Sequence, residues 1–195
     1  SVIFNPSSTT TYTLTVSNAS NCTASNNYAV TVDVKPSAAT SGGDVVICAD
    51  AAPATISASS VGNIIDWYAN ALGGTALSSG SNTYSTSTGA TYYAEARISA
   101  TGCVSNARTP VVLTVNSDPT APASGGNVTV CADATPVNIS ASSAGNVIDW
   151  YAASSGGSAL LSGSNTYSSS TAGTYYSEAR NATTGCVSTT RTSVI

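Results

Sequence analysis

The chain has 195 residues, a formal net charge of −4 and only 7% charged side chains. So few Lys and Arg residues cannot neutralise a phosphate backbone or an anionic bilayer, which argues against nucleic acid and membrane surfaces as partners. Its apolar runs are too short to cross a bilayer, no stretch reads as a signal peptide, and the absence of Met suggests that the true N-terminus lies elsewhere.

The opening stretch, residues 1–35, holds FNPSSTTTYTLTVSNASNC (4–22) and NCTASNNYAVTVDV (21–34). The second of these matches GCVSNARTPVVLTVNS (102–117) with two residues fewer. The chain is therefore expected to open with the C-terminal fragment of a module, its last two strands. From residue 36 onward the sequence repeats with a period of 83 residues: Cys48, Trp67, Tyr92 and Cys103 return as Cys131, Trp150, Tyr175 and Cys186. A fixed period of this kind marks an array of similar units. We read two full modules, 36–117 and 118–195, the last strand of the second being cut short at RTSVI (191–195). More modules are expected on both sides.

Alternation and β-branched residues dominate, with no long 3.6-residue period. In the first full module strands are expected near 44–48, 54–59, 63–69, 74–77, 82–86, 90–98 and 104–116, and the second repeats them 83 residues on. Seven short strands in about 80 residues predict an all-β, two-sheet Greek-key sandwich. Comparing the copies sorts the faces. Val45 and Ile47 become Val128 and Val130, whereas Val46 becomes Thr129, so 45 and 47 point inward. Ile65 and Trp67, then Tyr92, Ala94, Ala96 and Ile98, then Val111, Leu113 and Val115, share that inward face. Val30 and Val32 of the opening fragment follow the same rule. A slip of one residue would bury Glu95 and Arg97, so the register is well specified. The stretches KPSAATSGG (35–43) and SDPTAPASGG (117–126) read as linkers, stiffened by Pro and freed by Gly-Gly, in a semi-extended string of beads.

Cys48 to Cys103 spans 55 residues, as does Cys131 to Cys186. One pair per module at identical spacing reads as an intramodule disulfide, Cys48–Cys103 and Cys131–Cys186. Such a staple adds about 4 kcal/mol in the chain-entropy model. Cys22 matches Cys103, so its partner is expected upstream of the segment. Zinc is the competing reading, but no two cysteines are close in sequence and there is no His. Disulfides imply an oxidising compartment outside the cytoplasm.

The recurring pattern is carried by Cys48, Trp67, Tyr68, Gly73, Gly74, Tyr84, Tyr92, Tyr93, Glu95, Gly102, Cys103, Ser105, Arg108 and Thr109, each with a mate one period later. This pattern resembles a bacterial immunoglobulin-like repeat family found in very large surface and secreted proteins of Bacteroidota, including gliding-type adhesins and substrates of type IX secretion. The resemblance implies tandem Ig-like sandwiches and an extracellular, cell-surface habitat, but no ligand. In antibody-type domains a Tyr stands two residues before the second Cys. Here the nearest Tyr is Tyr93 and Gly102 precedes Cys103, so the expected bridge joins one end of the sandwich.

Without His there is no Ser-His-Asp or Cys-His catalysis. Asp50, Asp66 and Glu95, with Asp133, Asp149 and Glu178, could in principle form a carboxylate pair for glycoside hydrolysis. The preferred reading is structural: Asp66–Arg97 and Glu95–Arg108, or the swapped pairing, knit one sheet as a cross-strand ion network. Trp67 and Trp150 read as core pins. Tyr68, Tyr84 and Tyr93 read as partly exposed, and Tyr68, Tyr93, Tyr151 and Tyr176 are candidate ligand contacts for a glycan or protein. Asp33, Asp44 and Asp118 lie near the joints, but they are single and unmatched between copies, which argues against calcium. Neither a catalytic, a metal nor a cofactor site is expected. The leading expectation is a structural or adhesive stalk whose partners are neighbouring modules and, beyond them, other surface proteins or glycans. The alternatives are a subunit of a polymeric filament and a carbohydrate-binding accessory module of a secreted enzyme.

Overall fold

A computed structural model describes residues 3–134 and 136–195. The first two residues of the opening fragment and Thr135 lie outside the described residues. The protein is all-β, as expected. Strands β1 (Thr10–Ser17) and β2 (Thr23–Val30) form an antiparallel hairpin, with Thr10 opposite Val30 and Ser17 opposite Thr23. The first full module then builds two sheets. One has three strands in the order β3 (Thr40–Ser41), β5 (Ala54–Ser59), β8 (Thr83–Thr86). The other has five in the order β4 (Val45–Cys48), β10 (Thr109–Asn116), β9 (Ala90–Arg97), β6 (Ile64–Tyr68), β7 (Ser78–Ser79). The second full module has β11 (Ala123–Ser124), β12 (Val137–Ser142) and β14 (Thr166–Ser169) in one three-stranded sheet. Its other sheet holds β13 (Val147–Tyr151), β15 (Tyr175–Arg180) and β16 (Thr192–Val194).

In the first full module the inward face is the one that alternation predicts, whereas Val30 of the opening fragment and Val128 and Val130 of the second module are exposed. Ile65, Trp67, Ala94, Ala96 and Val111 have no exposed surface, and Leu113 keeps 2%, while Val46 is 66% exposed. In the second module Ile139, Ala141, Ile148, Trp150, Ala179 and Val194 form the core, with Tyr167 and Tyr175 packed against it. Each Trp is a core pin. Its indole N–H donates to a loop carbonyl, Ser81 O at 3.0 Å for Trp67 and Ser164 O at 2.9 Å for Trp150, so the one polar atom of a fully buried ring is satisfied. Tyr84 differs from expectation. It is half-buried between Trp67 and Tyr92, with ring centroids 6.3 and 5.2 Å away, and is part of the core rather than a surface platform.

The stretches read as linkers are also different. Ala39 is buried, Thr40 and Ser41 pair with Ser59 and Ala58, and Gly42 N–H donates to Ser57 O at 2.8 Å. Thr109 Oγ1 donates to Ala39 O, and Asp44 Oδ1 accepts from Val112 N–H. The same bonds recur as Thr192 to Pro122 O and Ile195 N–H to Asn127 Oδ1. These residues are thus the first strand of each module, not free joints. Gly-Gly is needed because the strand changes sheets there: β3 belongs to one sheet and β4 to the other. A Cβ on Gly42 would lie 2.0 Å from Ser57 Oγ, and Gly43 turns the chain at φ +103°.

By density of packing the chain divides into two compact units. One holds the chain up to Asp44 with 55–84 and 91–112; the other holds 45–54, 85–90 and 113–195. β4 pairs parallel with the end of β10, Val45 beside Leu113 and Cys48 beside Asn116. The cysteine pairing is a correction. The disulfide joins Cys48 to Cys186, 138 residues apart, and Cys22, Cys103 and Cys131 are thiols. It excludes both Cys48–Cys103 and Cys131–Cys186. Cys48 sits beside the last residue of β10, whereas Cys103 precedes that eight-residue strand. Cys48 and Cys186 share one compact unit; Cys103 belongs to the other.

Gly42→Ala should cost roughly 1–3 kcal/mol through overpacking against Ser57. It should lower the urea midpoint clearly, whereas Val61→Ala, at a fully exposed position, should leave it unchanged. An unaltered midpoint for Gly42→Ala would mean that the first strand is loosely held.

Candidate functional site

The repeated polar residues converge on the outer face of the five-stranded sheet and on its counterpart in the second module. On β6 alternate residues point oppositely, so Trp67 enters the core while Asp66 and Tyr68 share the other face. The register sets Asp66 opposite Glu95 and Tyr68 opposite Tyr93. Two carboxylates directly across a ladder repel. Two arginines offset that. Arg97 Nε donates to Asp66 Oδ2 at 2.5 Å and its Nη2 to Oδ1 at 3.0 Å, a bidentate fork. Arg108 Nε donates to Glu95 Oε1 at 3.2 Å. The second module repeats both pairs, Arg180–Asp149 at 2.6 Å and Arg191–Glu178 at 3.0 Å. The expected network is present, in the first of its two expected pairings.

One detail differs from the sequence reading. Asp66 and Asp149 are not outward solvent groups; they are 3% and 4% exposed. A loop covers them and bonds them: Asp66 Oδ1 accepts from Gly80 N–H at 2.9 Å and Asp149 Oδ1 from Gly163 N–H at 2.8 Å. The Arg97 guanidinium, helped by Gly80 N–H and opposed by burial, holds the Asp66 carboxyl below the usual carboxylate range. Arg180 and Gly163 do the same for Asp149.

Arg108 does more than pair with Glu95. Its guanidinium lies 3.3 Å from the Tyr68 ring centroid, and Nη1 donates to Asn70 O at 2.8 Å and Gly73 O at 2.7 Å. Arg191 repeats this on Tyr151, Ala153 O and Gly156 O. Gly73 adopts φ +64°, the left-handed conformation that glycine supplies at little cost, in the loop whose carbonyls face the arginine. Burial, then Glu95, pushes the Tyr68 phenol up; in Tyr151 burial is again the larger cause, followed by the hydrogen bond to Glu178 Oε2. One face of Tyr68 and of Tyr151 is therefore already covered by a cation. Tyr93 and Tyr176 are half-exposed beside them.

The sequence reading does not contain the arginine–carbonyl clamp, although its signal is present there. Gly73-Gly74 and Arg108 recur together as Gly156-Gly157 and Arg191. Nor does it contain the role of Ser105 and Ser188 as buried staples: each hydroxyl accepts from β-strand N–H (Ala96, Ala179) and donates to a carbonyl two residues on. Asp44 is spent on Val112 N–H. Asp118 lies by the disulfide: its Oδ1 is buried without a hydrogen bond, and a carboxylate oxygen lies within 4.8 Å of the sulfurs of Cys48 and Cys186. Bonded sulfurs have no thiolate to offer a metal. Asp50 and Asp133 lie on exposed 3-10 turns, Ala49–Ala51 and Ala132–Ala134.

Because the folded-state pKa of Asp66 and of Asp149 is lowered, their stabilisation is complete above the unfolded value, about 3.9, and is lost as pH falls through the folded one. The urea midpoint should therefore hold from neutrality to about pH 4 and drop below it. Asp66→Asn should cost roughly 1–3 kcal/mol at pH 7 and weaken the acid transition. Arg108→Lys keeps the charge but loses the ring stack and the guanidinium bonds to Asn70 O and Gly73 O, and should cost about 1–2 kcal/mol. A midpoint unchanged in both variants would show the network to be inert.

A family model described as Ig-like domain, CHU_C associated, matches residues 36–116 and 119–195. No curated protein matches the chain. Among solved structures, Drosophila N-cadherin EC1-4 is similar at 11% identity with a TM-score of 0.28, covering 98% of this chain and 59% of that one. With the two family matches spanning most of its length, the chain belongs to the Ig-like domain family described as CHU_C associated.

Proposed function

We propose that this chain is a structural spacer, a stalk segment of a large extracellular bacterial surface protein of the gliding-adhesin or type IX secreted kind, and not an enzyme. One observation carries this. The repeated charges and the exposed sides of Tyr68 and Tyr151 are spent on internal bonds, which stiffen the sheet and leave these groups uncommitted to any substrate. Each carboxylate on the face is held by an arginine, so a carboxyl poised to give up a proton to a leaving group is not provided there. The disulfide fits an oxidising compartment, and no helix among the described residues is long and apolar enough to cross a membrane. The modules 36–117 and 118–195 act in this reading as consecutive load-bearing units, with 1–35 belonging to the module before. Tyr93 and Tyr176 are the rings best placed to touch a glycan or a protein, and they give the spacer any adhesive contact it makes.

Stretching single molecules from their two termini tests the reading. With Cys48 bonded to Cys186 across a sequence separation of 138, the segment between them is shielded from tension. Reduction should release about 50 nm of additional contour length at the extended spacing of ~3.5 Å per residue. Equal extension with and without reductant would remove the mechanical role. Saturable binding on a glycan array, lost in Tyr93→Ala with Tyr176→Ala, would favour a carbohydrate-binding module instead.

A further inference from the structure

We propose that the Cys48–Cys186 bond is one rung of a register-shifted ladder, in which the first cysteine of each module bonds to the second cysteine of the next. The groove beside Val128–Cys131 is then the seat of a parallel strand that leads into a further module. This rests on the array reading above. The sequence separation of 138 is one period of 83 plus the intramodule spacing of 55, so the bond joins equivalent positions of successive copies. Moved one period back, the rule places the partner of Cys103 one period before Cys48. Moved one period forward, it places the partner of Cys131 one period after Cys186. Cys103 and Cys131 are the thiols of the two full modules, as the rule requires.

The groove supplies the second, independent observation. In the first module, Leu113–Asn116 lies parallel to Val45–Cys48 and half-covers Val45 and Ile47. One period later Val128 and Val130 are 39% and 43% exposed. A groove of about 440 Å³ opens there, lined by Val128, Val130, Cys131, Ile139, Tyr175 and Ile195 among others. The chain shows what fits. Ile195 stands where Val112 stands one period earlier, and Val112 runs straight into Leu-Thr-Val-Asn along β10. The occupant is therefore a strand with apolar residues at alternate positions, continuing into another copy of the module. Once it is seated, Cys131 occupies the place that Cys48 holds beside Asn116, the position from which Cys48 reaches a cysteine of the following module. Bond formation proceeds by two exchanges. The Cys131 thiolate attacks oxidised glutathione and expels one reduced glutathione; the partner thiolate then attacks the mixed disulfide and expels the second, the two thiol protons passing to the two glutathione thiolates.

The test compares this chain with one lengthened by a period, residues 113–195 being repeated after Ile195. Both are refolded in a glutathione redox buffer and mapped by mass spectrometry of unreduced digests. This chain should show Cys48–Cys186 and three thiols, five cysteines less two. The lengthened chain should gain a bond from Cys131 to the appended copy of Cys186 and again keep three thiols, seven less four. In the lengthened chain, Cys131→Ser should free the appended Cys186 copy and leave Cys48–Cys186 intact. Cys131 bonded to the original Cys186, or Cys131 left as a thiol in the folded lengthened chain, overturns the ladder. Should the lengthened chain fail to fold, maleimide labelling of this chain decides the pairing rule: labels on Cys22, Cys103 and Cys131 support it, and a label on Cys22 alone overturns it. Failure here leaves the spacer reading standing, because that reading is measured separately by extension and by ligand binding.

Discussion

Strand β6 has two faces and each is fully used. Trp67 fills the core while its neighbour Asp66, on the other side of the same sheet, is buried in a bidentate pair with Arg97. Neither residue tolerates the other's place. A one-residue slip would put a carboxylate into an apolar core, where the charge cost is several kcal/mol, and would expose the largest ring in the module. The register of β6 against β9 follows from that, and with it the position of Glu95, the reach of Arg108 to Tyr68, and the loop carbonyls that Arg108 gathers. The second module makes the same choice with Trp150, Asp149 and Arg180, so the arrangement belongs to the repeat and not to one copy.

The core itself is thin. Alanines hold many of its buried positions, among them Ala54, Ala58, Ala94 and Ala96, and an alanine buries far less apolar area than a leucine. Small domains of this kind draw on other devices. Here they are ion pairs that are largely withdrawn from solvent, hydroxyls that staple buried strands, and a covalent bond that closes a long loop. The arginines are suited to this because a planar guanidinium can bind a carboxylate, a ring face and two carbonyls at once, which an ammonium cannot.

Strand faces, core tryptophans and the ion network were all legible in the sequence, because comparing two copies separates what packing requires from what drifts. Val46 becoming Thr129 marks an outer position; Trp67 returning as Trp150 marks an inner one. Two features were illegible for physical reasons. Cysteines at one spacing in every copy look the same whether each bond stays within a module or runs to the next, since translation by one period preserves both patterns. The Pro-, Gly- and Ser-rich stretches read as joints, yet the same composition suits a short edge strand that must kink between sheets, and only the bonds from Gly42, Asp44 and Thr109 reveal it. The burial of Asp66 was hidden likewise, because the loop that covers it carries no charge to advertise the contact.

A loop closed between residues 48 and 186 encloses most of the polypeptide. If a protease cuts one peptide bond anywhere inside it, two fragments result but they do not part, since the sulfurs still hold them. Across residues 48–186, continuity after such a cut is lost only once the bridge is also reduced.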